Sequence, residues 1–262
     1  MRHTFVISAY QDSPYLESCI RSLIGQSVKS DIILCTSTPS EFIRMMAEKY
    51  DLPVYIREAG ETEQGIGYDW NFAYSMADTE LVTIAHQDDI YHHDYTKVLL
   101  ETKEKYPDMS LFTTASVSIR NGKLVEYGGI EIIKKLLRTP LRIPAMNDHP
   151  WVKKAAITLG NPVICPSCTY DKTVCGDKIF DENLHFVLDW DALCSLAEKK
   201  GRWICIEKPL IMYRVHTDSA TGEAIHSSLR ESEEAEMFDR LLPKPAADVI
   251  KKLYKKSYVA YK

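Results

Sequence analysis

The chain has 262 residues, 45% hydrophobic and 26% charged, with a formal net charge of −5. That length supports one large domain or two small ones with a substantial core, and the composition excludes global disorder. The mildly acidic balance argues against a dedicated nucleic-acid binder.

The opening "HTFVISAY" is too short and too polar-flanked for a signal peptide, and no apolar run reaches membrane-spanning length. "TFVISA" (4–9) reads as a strand. In "SPYLESCIRSLIGQS", Tyr15, Leu16, Cys19, Ile20, Leu23 and Ile24 fall on one helical face, with Ser13 as cap and Pro14 in the first turn. "DIILC" (31–35) is a second strand. In "TPSEFIRMMAEKY", Thr38 and Glu41 have capping-box spacing and Phe42, Met45 and Met46 form the buried stripe. "PVYI" (53–56) is a third strand, "GYDWNFAYSMA" (67–77) a helix, and "LVTIA" (81–85) a fourth strand. Such alternation predicts a mostly parallel sheet with helices on both faces, whose ligand binds beyond the carboxyl ends of the strands. Another helix begins near Asp94.

From 111 the rhythm changes. "LFTTASVSI" and "KLVEY" read as an antiparallel hairpin around the "NGK" turn (121–123). A loop-rich stretch follows to about 176, punctuated by Pro140, Pro144, Pro150, Pro162 and Pro166. "DWDALCSLAEKKG" (189–201) is a helix with Asp189 as candidate cap and Gly201 as stop, "RWICI" is a strand, and residues 227–242 and 245–259 are two final helices. Seven cysteines scattered through apolar segments point to reduced thiols in a cytoplasmic protein; Cys165, Cys168 and Cys175 cluster, without a second paired motif for zinc. Trp151, Trp190 and Trp203 read as core or pocket walls.

Three stretches carry chemistry. "HQDD" (86–89) places adjacent carboxylates directly after an apolar strand. There they serve either as ligands of a hard cation such as Mg²⁺ or Mn²⁺, which needs only one or two carboxylates plus phosphate oxygens, or as solvated loop acids. "LDWD" (188–191) opens a helix with two aspartates. "YRVH" (213–216) puts Arg214 and His216 on one side of an extended segment, where a guanidinium suits a diphosphate and a neutral imidazole a metal or phosphate. Together they supply a base, a phosphate clamp and a metal site.

In this order the motifs resemble family 2 glycosyltransferases of the GT-A fold, over residues 4 to about 221. "FVISAYQDSPYLESCIRSLIGQS" is similar to the family's first strand, nucleotide loop and helix. "GIGYDWNFAYSMADTELVTIAHQDD" is similar to its Gly-x-x-x-Arg-Asn helix leading to the Asp-x-Asp motif. "LDWDALCSLAEKKG" resembles its Glu-Asp motif and "PLIMYRVHTDSAT" its Arg-x-His loop. The resemblance implies an α/β fold: a Rossmann-like nucleotide-binding half (about 1–95) with a mostly parallel central sheet, an acceptor half (about 96–221), and a C-terminal helical extension (222–262). It implies an inverting transfer from a nucleotide-diphosphate sugar, a UDP-sugar first, to a hydroxyl of a glycan or lipid-linked glycan, with Mn²⁺ or Mg²⁺ as cofactor.

By the same resemblance Ser8, Tyr10, Asp12, Gly67, Trp70, Asn71, His86, Gln87, Asp88 and Arg214 would line the nucleotide sugar, and Thr36 or Ser37, where the pattern departs, could still hydrogen-bond a base edge. Asp88, with Asp89 as second ligand or supporting acid, and His216 would hold the metal. Asp189 would be the base, or Asp191 in a shifted register. By position, Trp190 between the two aspartates could stack on a sugar ring, and Ser167 lies in the loop (160–172) where the acceptor or diphosphate should arrive, unless its polar residues only satisfy turn backbone. Three positions depart from the family pattern: His86 replaces the first Asp of Asp-x-Asp, Leu188 the glutamate of Glu-Asp, and "CTST" (35–38) an acidic cluster. Rival readings are a nucleotidyltransferase or metal-dependent phosphohydrolase using His86, Asp88, Asp89, His92 and His93, or a binder that lost catalysis. The basic tail, with Lys251, Lys252, Lys255 and Lys256, reads either as a peripheral membrane contact or as a solvated helix face.

Overall fold

Apolar β-branched runs bounded by turn residues form the first strands, as parallel strands covered on both faces require. In the computed structural model these are β1 (His3–Ala9), β2 (Asp31–Thr36), β3 (Val54–Ile56) and β4 (Leu81–His86), all mutually parallel in the order β3-β2-β1-β4. The structure describes residues 2–58, 60, 62–120, 122–125, 129–216 and 229–258.

Helices α1 (Leu16–Ile24), α2 (Glu41–Tyr50) and α3 (Ile66–Ser75) connect the strands, and α4 (Tyr95–Lys105) follows the two-residue strand β5 (Ile90–Tyr91). The second half adds β6 (Met109–Arg120), β7 (Lys123–Val125), α5 (Gly129–Leu137), α6 (Pro150–Ile157), β8 (Thr169–Asp171), the single turn α7 (Lys172–Cys175), α8 (Leu188–Ala197) and β9 (Arg202–Val215). The last helices are α9 (Leu229–Leu241) and α10 (Lys244–Tyr258).

The sheet continues β4-β8-β6-β9-β5, with β7 on β6 as the expected hairpin. β8 runs antiparallel to both neighbours, and β6 is parallel to β9. Alternation along β1 divides the core: Phe5, Ile7 and Ala9 face α1, α2 and α4, whereas Val6 faces α3, α6, α8 and the C-terminal helices. Met237, Phe238 and Ala247 of α9 and α10 join that second cluster. Strand order reverses between β1 and β4, which opens a crevice where their carboxyl ends diverge.

Several local expectations are corrected. α1 begins only at Leu16 with Tyr15 at its N-cap, which leaves Ser13 outside the helix. α2 is capped by Ser40, whose hydroxyl accepts from the Ile43 N–H; it buries Ile43 and Ala47 while Met45 is 48% exposed. The stretch read as loop holds α5 and α6, the latter with Pro150 in its first turn. β9 runs on through Pro209 to Val215, so Arg214 is a strand residue. Trp203 is core, but Trp151 is 61% exposed. Cys168 and Cys175 donate to different carbonyls, Ile164 O and Ser110 O.

Candidate active site

The two aspartates after β4 are held by different means and face different surroundings. β5 follows them immediately and pairs antiparallel with the end of β9, Ile90 opposite Met212, which carries Arg214 and His216 to the turn. The Arg214 N–H donates to Asp89 Oδ1 at 2.9 Å, and its Nε–H to the Asp88 carbonyl at 3.0 Å. The Asp88 carboxylate accepts from the Ser13 hydroxyl at 2.8 Å, and its other oxygen lies 3.1 Å from His216 Nε2. The Arg214 guanidinium sits 4.2 Å from the Tyr15 ring centroid, and the His216 ring 5.1 Å from it. Ser13, Tyr15, Asp88, Arg214 and His216 thus form one cluster across the β1–β4 crevice.

Asp89 is 1% exposed, and burial raises its carboxyl well above the usual carboxylate range. Its Oδ1 braces the β9 terminus through the Arg214 N–H.

On the nucleotide side, Tyr10 and Gln87 exchange hydrogen bonds of 3.0 and 2.9 Å, tying the loop after β1 to the loop after β4. Ser8 lies half-buried opposite His86; Tyr10 and Asp12 are exposed, with Asp12 accepting from the Ser40 hydroxyl. His86 stacks on Trp70 with centroids 4.8 Å apart, and burial lowers its pKa to about 4, so its imidazole is neutral. Thr36 is buried and accepts from the Thr38 N–H. Ser37 donates to Asp69, which Arg57 also grips at 2.9 Å. Arg57 and Asp69 went unnoticed in the sequence, where nothing links strand β3 to helix α3.

Two residues expected against the nucleotide serve packing instead. Asn71 is 7% exposed; its amide donates to Phe180 O and Glu182 and accepts from the N–H groups of Ile179 and Phe180. A Cβ on Gly67 would lie 3.0 Å from Asp181 O and Glu182 Cα. Both fasten the 179–182 loop to α3.

Across the crevice, Asp189 occupies the first turn of α8. Its oxygens accept from the Trp190 N–H at 2.7 Å and from the Asn161 amide at 2.9 Å, and burial lifts its pKa to about 6 against the nearby Lys134 charge. The turn that leads into the helix is held from afar: the Glu233 carboxylate of α9 accepts from the N–H groups of His185, Phe186 and Val187, the last at the N-cap position. Asp189 is therefore a base candidate and not the cap.

Three other expectations on this side are corrected. Asp191 is ion-paired to Arg240 at 2.6 Å. Trp190 is 2% exposed, donates to Ile157 O and meets Phe238 edge-on, so no face is open to a sugar. Ser167 is fully buried with its hydroxyl bonded to Thr113 and Ile164 O.

The donor set of Asp88 and His216 fits a divalent cation that takes its remaining ligands from phosphate oxygens and water. Asp89 gives one carboxylate oxygen to the Arg214 backbone, and its other, buried oxygen has no hydrogen-bond partner among the described residues. Among the described residues the three-ligand cluster close enough for a metal is a different one, His92, His93 and Asp94 on the β5–α4 turn, with Lys208 also 3.4 Å from Asp94.

Comparison with known proteins shows the family and the fold. A model of the family "Glycosyl transferase family 2" matches residues 4–148, more than half of the chain. No curated protein matches it. Among solved structures, residues 1–349 of S. aureus TarS are 15% identical with a TM-score of 0.60, covering 91% of this chain and 69% of that one; the chain spans 42% of the longer TarS structure. The mannosyltransferase PcManGT from Pyrobaculum calidifontis, in complex with GDP-Man and Mn²⁺, is 16% identical with a TM-score of 0.64, covering 97% and 69%. Glucosyl-3-phosphoglycerate synthase from Mycobacterium tuberculosis is 13% identical with a TM-score of 0.58, covering 92% and 81%. These likenesses establish a shared fold, and the family match extends over β1 to β4, the "HQDD" turn and beyond: the chain belongs to glycosyl transferase family 2.

Proposed function

We propose that this glycosyltransferase moves a sugar from a nucleotide-diphosphate donor, a UDP-sugar first, to a hydroxyl of a glycan or lipid-linked glycan, with inversion at the anomeric carbon. The observation that carries this reading is the cluster of Asp88, His216, Arg214, Tyr15 and Ser13 at the strand-order reversal, where a diphosphate would lie. The donor's base end would meet Ser37 and Asp69, the latter a carboxylate that can accept a pyrimidine N–H.

The acceptor oxygen bonds to the anomeric carbon as the bond from that carbon to the diphosphate oxygen breaks. Asp189 takes the hydroxyl proton, and the electron pair leaves with the nucleoside diphosphate. A base with a pKa of about 6 is about nine-tenths ionised at pH 7 while still able to hold a proton. Lys134 and Asn161 keep it ionised and oriented. The Arg214 guanidinium faces the charge that develops on the leaving diphosphate. Asp88 and His216 would hold the divalent cation, which when bound neutralises diphosphate oxygens. A cytoplasmic setting belongs to the same proposal; among the described residues no helix is long and apolar enough to cross a membrane.

The test is calorimetric titration of UDP, GDP, CDP and TDP, with and without Mn²⁺, into the wild type and Asp88→Ala. One nucleotide should bind selectively and need Mn²⁺, and the variant should lose at least about tenfold in affinity, the scale of a lost charge-assisted contact. Absence of binding by every nucleotide would overturn the proposal.

A further inference from the structure

Helix α5 is turned inside out. A helix on the surface of a water-soluble domain buries its apolar stripe and shows its charges. Here the inward positions are Glu131 and Lys134, 3.9 Å apart, continued just past the helix by Arg138. Arg138 is 3% exposed, forks onto Glu207 and donates to Pro162 O. The outward positions are Ile132, Ile133 and Leu136, exposed by 64, 58 and 71%. Three adjacent aliphatic side chains left in water at one spot form the kind of patch that marks a contact surface.

The charges around that patch say what covers it. Lys135 shares the outward face, Arg142 stands in the turn that follows, and neither has an ion-pair partner among the described residues. Glu131, the acidic residue of α5, lies on the other side with Lys134. α6, which packs beside α5, adds the exposed Trp151. Exposed aliphatics with the unpaired Lys135 among them are complementary to an anionic bilayer, with apolar groups entering the acyl boundary and the cation staying among the headgroups. The basic C-terminal helix α10 answers this description less well, because Lys251 and Lys255 are ion-paired to Asp239 and Glu231 of α9.

We propose that the outward face of α5, with Trp151, seats the protein on an anionic lipid surface, and that the acceptor is an amphiphile presented there. The acceptor clause rests on the glycosyl transfer proposed above. Lys134, on the opposite side of the same helix, acts on the Asp189 carboxylate through its charge.

The experiment is cosedimentation with vesicles of phosphatidylcholine, with and without phosphatidylglycerol, and no nucleotide present. Wild type should pellet with the anionic vesicles and release at high salt. Ile132→Ser combined with Leu136→Ser should reduce the partition coefficient by about tenfold or more, and Lys135→Glu with Arg142→Glu should abolish the preference for phosphatidylglycerol. Unchanged circular dichroism and melting would show that these exposed replacements leave the fold intact. Failure of wild type to pellet, equal pelleting of the Ile132/Leu136 variant, or a dimer that this variant dissociates would overturn the proposal. The vesicle assay is independent of donor binding, so loss of the nucleotide titration alone would refute the transfer chemistry and leave the lipid surface standing.

Discussion

Replacing Asp189 by asparagine should stabilise the protein at neutral pH while removing its turnover. Burial raises this carboxyl from an ordinary 3.8 to about 6. Each pH unit between those values is worth about 1.4 kcal/mol, so above both of them the ionised group costs the folded state about 3 kcal/mol. Below 3.8 the group is protonated in both states and contributes nothing. Between 3.8 and about 6 the unfolded chain releases the proton first, so this residue makes stability fall as pH rises; above 6 its contribution is flat. Asparagine removes that titration but turns an amide donor toward Asn161, losing a hydrogen bond worth about 1 kcal/mol. The variant should therefore be less stable than wild type by about 1 kcal/mol near pH 3 and more stable by about 2 kcal/mol at pH 8. For a chain near this size the latter is a Tm difference of about 4–8 °C.

Urea melts of both proteins between pH 4 and 8 isolate the effect, because the carboxylates held low by partners, such as Asp108 beside Arg202, titrate alike in both. Transferase turnover measured on the same samples should fall about 10²–10⁴-fold, the usual contribution of a general base. A stability difference independent of pH, or a variant less stable than wild type at pH 8, would refute the reasoning about burial. Unchanged turnover would refute the role of Asp189 as base.

Two further substitutions test how the surroundings hold the site. Glu233→Gln leaves one carbonyl oxygen to serve the three N–H groups of residues 185–187, so it should cost about 2–4 kcal/mol in urea melts and lower kcat with little change in donor KM; an unaltered melt would show that the turn before α8 needs no hold from α9. Gly67→Ala would gain about 1 kcal/mol of helix propensity but push its methyl against Asp181 O and Glu182 Cα, for a net loss of about 1–3 kcal/mol by thermal unfolding; a stabilised variant would show that the 179–182 loop yields freely.

What the sequence made legible, and what it hid, divides along a physical line. The alternation of strands and helices through β4 follows from local periodicity, and so the placement of Asp88 at a strand's carboxyl end did too. Arg214 and His216 were recognisable as a pair because an extended segment fixes which residues share a side. Ser13 and Tyr15 were misassigned to a helix cap and a buried stripe, since a helix starting two residues later presents almost the same sequence pattern; only the start at Leu16 frees them to reach Asp88 and Arg214. Glu233 holding the turn before α8 and Asn71 fastening the 179–182 loop join residues far apart in the chain, where no local spacing points from one to the other.

The case of α5 is different in kind. Its isoleucines, leucines and lysines have helical spacing, and the prolines after it drew the reading toward loop. Even a correct helix assignment would have left the question of which side faces inward, because periodicity defines a stripe and says nothing of the medium it meets. The inward direction is set by Arg138, whose guanidinium is spoken for by Glu207 and the Pro162 carbonyl, and this in turn forces Ile132, Ile133 and Leu136 outward. A buried arginine is thus what leaves an apolar face open on α5, and substitution of that arginine would disturb both the helix and the surface proposed to meet lipid.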